Sequence, residues 1–176
     1  MNIVILAICL LMTTPLFAKE SCMNRYGILN CGGEVVDHIL ANGVANLMGT
    51  SVINDTIVNG TLKAENTQLN SVTVNGAAII KDAEITARAE INGSLSAIKS
   101  NFLGAIYLGS NSSCLEACNT KDIFINSRSH TENELHLFAT KVDGSIFFKK
   151  KSGTVFLCQG STVSGQVSGG EVIEGC

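Results

Sequence analysis

Hydrophobic and polar positions along this chain fall into columns when it is cut at nearly constant intervals. The natural cutting points are Asn-Gly pairs at Asn42, Asn59, Asn75 and Asn92, separated by steps of 17, 16 and 17 residues. Carrying the interval outward to Tyr26, Gly109, Asn126, Asp143 and Gln159 gives nine units of 16–18 residues covering Tyr26 to Cys176. The fourth position then reads Leu29, Ala45, Leu62, Ala78, Leu95 and later Ile146. The sixth reads Cys31, Leu47, Ala64, Ile80, Ala97, Cys114 and later Phe148. The eleventh reads Val36, Val52, Leu69, Ile85 and Phe102. Charge gathers between these columns, at Glu65, Lys81, Asp82, Lys99 and Glu116, and units close on alternating β-branched runs such as Val72-Thr73-Val74. Short strands alternating in and out, separated by corners, are the predicted elements.

Asn-Gly between alternating runs is also a hairpin signal, so a meander of antiparallel hairpins competes with a stack of parallel coils. The repetition of identities favours the stack. In a solenoid, equivalent positions lie about 4.8 Å apart, so Asn sits on Asn and Val on Val. A meander offers no reason for that. The expected fold is all-β, a parallel β-solenoid (β-helix) with coils of about 16–17 residues and roughly nine coils. Asn42, Asn59, Asn75, Asn92, Asn126 and Asp143 are expected to form one turn ladder, since Asn and Asp tolerate the left-handed backbone of a tight corner. The apolar columns fail at Ser112 and Asn119, and again at Ser129, Thr131 and His136. This marks residues 114–137 as the irregular part of the stack.

The first eighteen residues carry no charge and run through Ile3 to Met12 as an apolar stretch before Pro15 and Ala18. That pattern predicts a secretory signal peptide over residues 1–18, followed by a single domain over 19–176 with disulfide-stapled ends. The stretch is shorter than the roughly 20 residues of a membrane span. Residues 19–176 contain no proline, which suits continuous strand ladders. Six of the seven cysteines lie in that part, and export implies an oxidising compartment, so disulfides are expected. Cys158 and Cys176 are one coil apart and would be neighbours in adjacent layers. Cys22 and Cys31 would close a short loop over the first coil, and Cys114 and Cys118 would staple the irregular one. Other connectivities are open.

Chemistry is sparse. His130, Glu132 and Glu134 alternate, so a strand would place all three side chains on one face, a speculative ligand site. A solvated polar strand explains them as well. Nucleophile elbows, phosphate loops and Cys-x-x-Cys pairs are absent, and no catalytic residue, metal site or cofactor is expected. The net charge of −3, with no basic stripe, excludes nucleic acid as the natural partner. Lys149, Lys150 and Lys151 read as a solvated corner. Asn54, Asn59, Asn92 and Asn111 begin glycosylation sequons in form.

The runs Ile57-Val-Asn-Gly-Thr-Leu-Lys-Ala64 and Glu90-Ile-Asn-Gly-Ser-Leu-Ser-Ala97 resemble the repeat of bactofilins, polymer-forming cytoskeletal proteins built on a compact β-helix. The likeness covers roughly residues 39–108. It implies a short-coil β-helix and self-association through coil ends. Two departures stand beside it, the export signal and the cysteines. The expected role is that of an exported structural or interaction protein, not an enzyme. It would be secreted, periplasmic or at the cell surface, with itself or another surface protein as partner and no membrane span after signal cleavage. The alternative is a carbohydrate-binding or carbohydrate-processing surface protein, with a glycan on a lateral face and residues 114–137.

Overall fold

A computed structural model describes residues 22–110, 112–126, 132–150 and 153–176. The predicted leader, residues 1–18, and His130 lie outside these. Strands ascend in parallel register, without a helix among the described residues, as a β-solenoid of about 8 turns. Each turn crosses three walls. The first wall runs from Ile28–Gly32 through Ala77–Lys81, Leu95–Ile98, Ser112–Glu116, Asn133–Phe138 and Gly153–Cys158 to Glu171–Glu174. Short strands such as Glu84–Ile85, Asn101–Phe102 and Lys141–Val142 build the second wall. The third includes Ala89–Ile91, Ile106–Leu108, Ile123–Ile125 and Ile146–Phe148. One antiparallel strand, Met23–Arg25, covers Ile28–Gly32 at the start.

The first-wall interior shows why the repeat alternates as it does. Leu29, Ala45, Leu62, Ala78 and Leu95 stack in one inward column, and Cys31, Leu47, Ala64, Ile80 and Ala97 in the other. From Ala45 to Ala97 a large residue in one column sits beside a small one in the other, and the order inverts at each turn. Each large side chain therefore rests over a small one, and all of them are buried. Burying a Leu or Ile contributes roughly 1.5–3 kcal/mol. A lone turn would leave that surface wet above and below, so the contribution is realised only in the stack.

Corners between the first and second walls are set by a left-handed residue in turn after turn: Gly33, Gly49, Asn66, Asp82, Lys99, Ala117 and Ala139, with φ between 46° and 64°. The amide of each, from Gly33 to Ala139, donates to a carbonyl of the following turn, as in Gly49 N to Glu65 O at 2.9 Å. The next residue points inward and is small or polar: Thr50, Thr67, Ala83, Ser100, Cys118, Thr140 and Ser161 are all buried.

Beyond residue 108 the sequence columns slip. One additional residue near the corner at residues 109–112 moves Leu115, not Cys114, into the column above Ala97. The expected failures at Ser112 and Asn119 are both exposed, and Ser113 and Thr120 are the buried polar residues. Larger insertions follow. Asp122 and Ser145 are hydrogen-bonded across neighbouring turns at a separation of 23 residues, Thr140 and Ser161 at 21. Ile146 and Phe148 accordingly lie in the third wall, above Ile123 and Ile125, not in the first-wall columns. These longer turns reduce the expected nine coils to about 8. Phe148 is accommodated by glycine: a Cβ on Gly153 would stand 2.1 Å from its ring and one on Gly170 2.6 Å away.

Candidate functional site

The corner between the third and first walls carries the predicted asparagine ladder. Asn59 Nδ2 donates to Asn42 Oδ1 at 2.8 Å, Asn75 to Asn59 at 2.8 Å and Asn92 to Asn75 at 2.9 Å. The glycines behind them explain the Asn-Gly pairing. Gly43, Gly60 and Gly76 have φ of 130°, 146° and 154°, and a Cβ on Gly60 would lie 2.0 Å from the Gly43 carbonyl oxygen. Asn126 stands at the same corner, its amide on Leu108 O, but Gly109 interposes a turn without an amide side chain. Asp143 does not belong to the ladder. It stacks on the second-wall side, accepting from Lys121 at 3.3 Å and Lys141 at 2.7 Å. Hydrogen bonds from Lys141 and then Lys121 hold its carboxyl below the ordinary value. The longer seventh turn, invisible to a constant period, moved it.

Glu132 and Glu134 are both exposed. Glu134 pairs with His136, whose Nε2 lies 3.3 Å from Oε2, and the His136 ring stacks on Phe156 at 4.5 Å with planes 4° apart. The third expected member, His130, is outside the described residues. On the opposite side of His136, Cys114 is its register partner on the outer face. Thiol and imidazole thus share a column, but no hydrogen bond joins them. Burial, and then Glu116, raise the Cys114 thiol above its ordinary value. Activation of a cysteine requires a stabilised thiolate, and this burial works against one.

Two of the expected disulfides are present, Cys22–Cys31 and Cys158–Cys176. Cys114 and Cys118 are free thiols, which corrects the expected staple across the irregular coil. Cys114 lies on the outward side of its strand, whereas Cys118 is buried at the corner, where it replaces the Ser or Thr of other turns. Its Sγ donates to Glu116 O at 3.2 Å, as Ser100 Oγ donates to Ile98 O at 2.8 Å. The two disulfides point to an oxidising, extracytoplasmic environment. No helix among the described residues is long and apolar enough to cross a membrane.

On the outside, the third wall carries a partly apolar column that the sequence columns did not reveal. Leu40, Ile57, Thr73, Glu90, Tyr107, Phe124 and Phe147 follow one another in register. Tyr107 and Phe124 stack with centroids 4.9 Å apart, and Phe124 and Phe147 at 5.0 Å, both at 12°. Arg88 caps the series, its guanidinium carbon 4.0 Å from the Tyr107 centroid while Nη2 pairs with Glu90 at 2.7 Å. Leu40 and Phe147 are 63% and 38% exposed, so the column is open to solvent. The rings stack face on face, so the strip presents aromatic edges. Tyr107 and Phe124 are one coil apart in the sequence, a signal that was available, whereas Phe147 is displaced by the longer turn. A groove of about 440 Å³ also opens on the first wall, with Met48 and Ile79 beside Lys63 and Lys81.

Compared with protein-family models, curated proteins and solved structures, the chain has no match.

Proposed function

We propose that this chain is an exported structural or interaction protein that presents its stacked lateral surface to a protein partner, a second copy of itself or another surface protein. The observation that carries this reading is the third-wall column from Leu40 to Phe147. Outward side chains repeat from turn to turn, which suits recognition along a length better than chemistry at a point. Within that column the run Tyr107, Phe124 and Phe147 is apolar, with Glu90 and Arg88 at its lower end, and such a patch edged by polar residues is a surface a protein partner covers. The reading includes removal of residues 1–18 on export and assigns no catalytic step.

The carbohydrate alternative draws less support, because sugars stack on open ring faces, and Arg88 and the neighbouring rings cover those of Tyr107 and Phe124. Light scattering and negative-stain microscopy on residues 19–176, with and without reductant, test the proposal. A discrete oligomer or filament that dissociates on Phe124→Ser with Phe147→Ser supports lateral association. A monodisperse monomer whose only measurable binding is to glycans, unaffected by those changes, overturns it.

A further inference from the structure

Many outward polar side chains of this solenoid are joined from turn to turn. Besides the asparagine ladder, Asn46 donates to Asn30 at 2.7 Å, Asn54 to Asp37 at 2.7 Å, Lys81 to Glu65 at 2.7 Å and Thr86 to Asn70 at 3.0 Å. One place departs from that habit. At the corner between the first and second walls, Asn66, Asp82 and Lys99 form one outer column, and Gln68, Glu84 and Asn101 form a second in the wall beside it. Neighbours along each column are complementary, since an amide lies below a carboxylate, and the carboxylate below an ammonium or a second amide. Among the described residues, however, no hydrogen bond or ion pair joins Asn66 to Asp82, Asp82 to Lys99, Gln68 to Glu84 or Glu84 to Asn101.

The two columns are the sides of a groove of about 430 Å³. Thr67 and Ala83, between them, turn inward and are buried, so the chain offers little but backbone at the floor. That volume is in the range of ligand clefts, roughly 300–1,000 Å³. Asn101 Oδ1 accepts from Asn119 at 2.9 Å, which orients the side chain and leaves its Nδ2 free. The lining is selective. It holds no aromatic or large aliphatic side chain, which disfavours an apolar ligand, and two carboxylates against one ammonium disfavour an anion. Carboxylates and amide oxygens accept, amide and ammonium nitrogens donate, and a hydroxyl does both. These groups recur about every 4.8 Å along the axis. A chain of hydroxylated rings repeats its own donors and acceptors in the same manner.

We propose that this groove binds a neutral oligosaccharide laid along the solenoid axis. Asp82 and Glu84 accept from sugar hydroxyls, and these charge-assisted bonds are the strongest the lining offers. The amides of Asn66, Gln68 and Asn101 and the Lys99 ammonium donate to hydroxyl and ring oxygens. Strand ladders on either side hold the backbone in place, so binding orders little of the protein. With no ring face to stack on, each sugar contributes modestly, and affinity grows with the number of turns the saccharide spans. The groove shares no residue with the third-wall strip, so it stands or falls independently of lateral partner binding.

The test is calorimetric titration of the oxidised chain, residues 19–176, with cellohexaose, chitohexaose and maltohexaose, each beside its disaccharide. The expected result is saturable binding of at least one hexasaccharide, tighter than its disaccharide and little changed by added salt, because the ligand is uncharged. Gln68→Ala with Glu84→Ala is expected to weaken binding about tenfold or more, since a hydrogen bond to a charged group contributes on that scale. Phe124→Ser with Phe147→Ser should leave it unchanged. Binding of none of the three, binding indifferent to the groove pair, or binding lost only in the aromatic pair overturns the proposal. So does salt-sensitive binding of oligolysine in place of the saccharides, which would assign the groove to a cationic segment. Should the groove variant fail to fold, amide shifts of the unmodified chain decide: saccharide moves those of residues 66–68, 82–84 and 99–101 if the site is real, and shifts confined elsewhere refute it.

Discussion

The stretch from Ile39 to Leu108 and the stretch from Ser112 to Ser168 are the same three-walled coil built to different tolerances. In the first, ladder bonds join residues 16 or 17 apart, asparagines bond to one another along a corner, and large and small residues alternate in the core. In the second, the separations reach 22 and 23, the corner ladder stops at Gly109, and its place as the outer stack is taken by Phe124 and Phe147. The difference teaches that the wall strands, not the turn length, define this fold. Extra residues are absorbed between the wall strands, and the strands on either side keep their register.

The comparison breaks hardest at the glycine corner. Gly60→Ala directs a Cβ into the Gly43 carbonyl at 2.0 Å with φ at 146°, and is expected to lower stability by about 3 kcal/mol or more. Gly160→Ala, at φ 76° with nothing within 4 Å, is expected to lower it by only about 1 kcal/mol. Chemical denaturation of the two variants measures the contrast.

The buried corner thiol is next. Burial pushes Cys118 from its ordinary 9.0 up to about 11. A group whose ionisation is suppressed in the folded state contributes stability that is complete below its unfolded value and is lost as pH rises through the folded one. Stability should therefore fall between pH 9 and 11, by on the order of 2 kcal/mol. Cys118→Ser, which restores the residue found at Ser100, should flatten that loss in urea titrations at stepped pH; the smaller rise at Cys114 remains.

Thr120 occupies the column of Phe102 and Val142 with its Oγ1 buried and unpartnered. Thr120→Val keeps the shape and removes the orphan hydroxyl, and is expected to stabilise by about 1 kcal/mol, read as a raised Tm. The smallest expected difference lies in the ladder. Asn59→Ala removes two rungs and should lower stability by about 0.5–1 kcal/mol. Asn126→Ala, one turn beyond the break in the ladder, should stay within about 0.5 kcal/mol.

Periodicity read from the amino acids alone was sufficient for the all-β parallel solenoid, the inward columns from Leu29 to Phe102, the asparagine corner through Asn92 and the two end disulfides. These depend on identities repeating at one interval, which a linear chain displays openly. It was not sufficient once that interval changed. Cys114, Ile146, Phe148 and Asp143 were each assigned to a column they do not occupy, because which residue lies above which is set by the sum of all preceding corner lengths. A one-residue slip exchanges the inside and outside of a strand. The aromatic strip, the two free thiols and the groove beside the second wall likewise belong to the tertiary structure. Each arises where side chains from different turns meet, and only the stacked register decides those meetings.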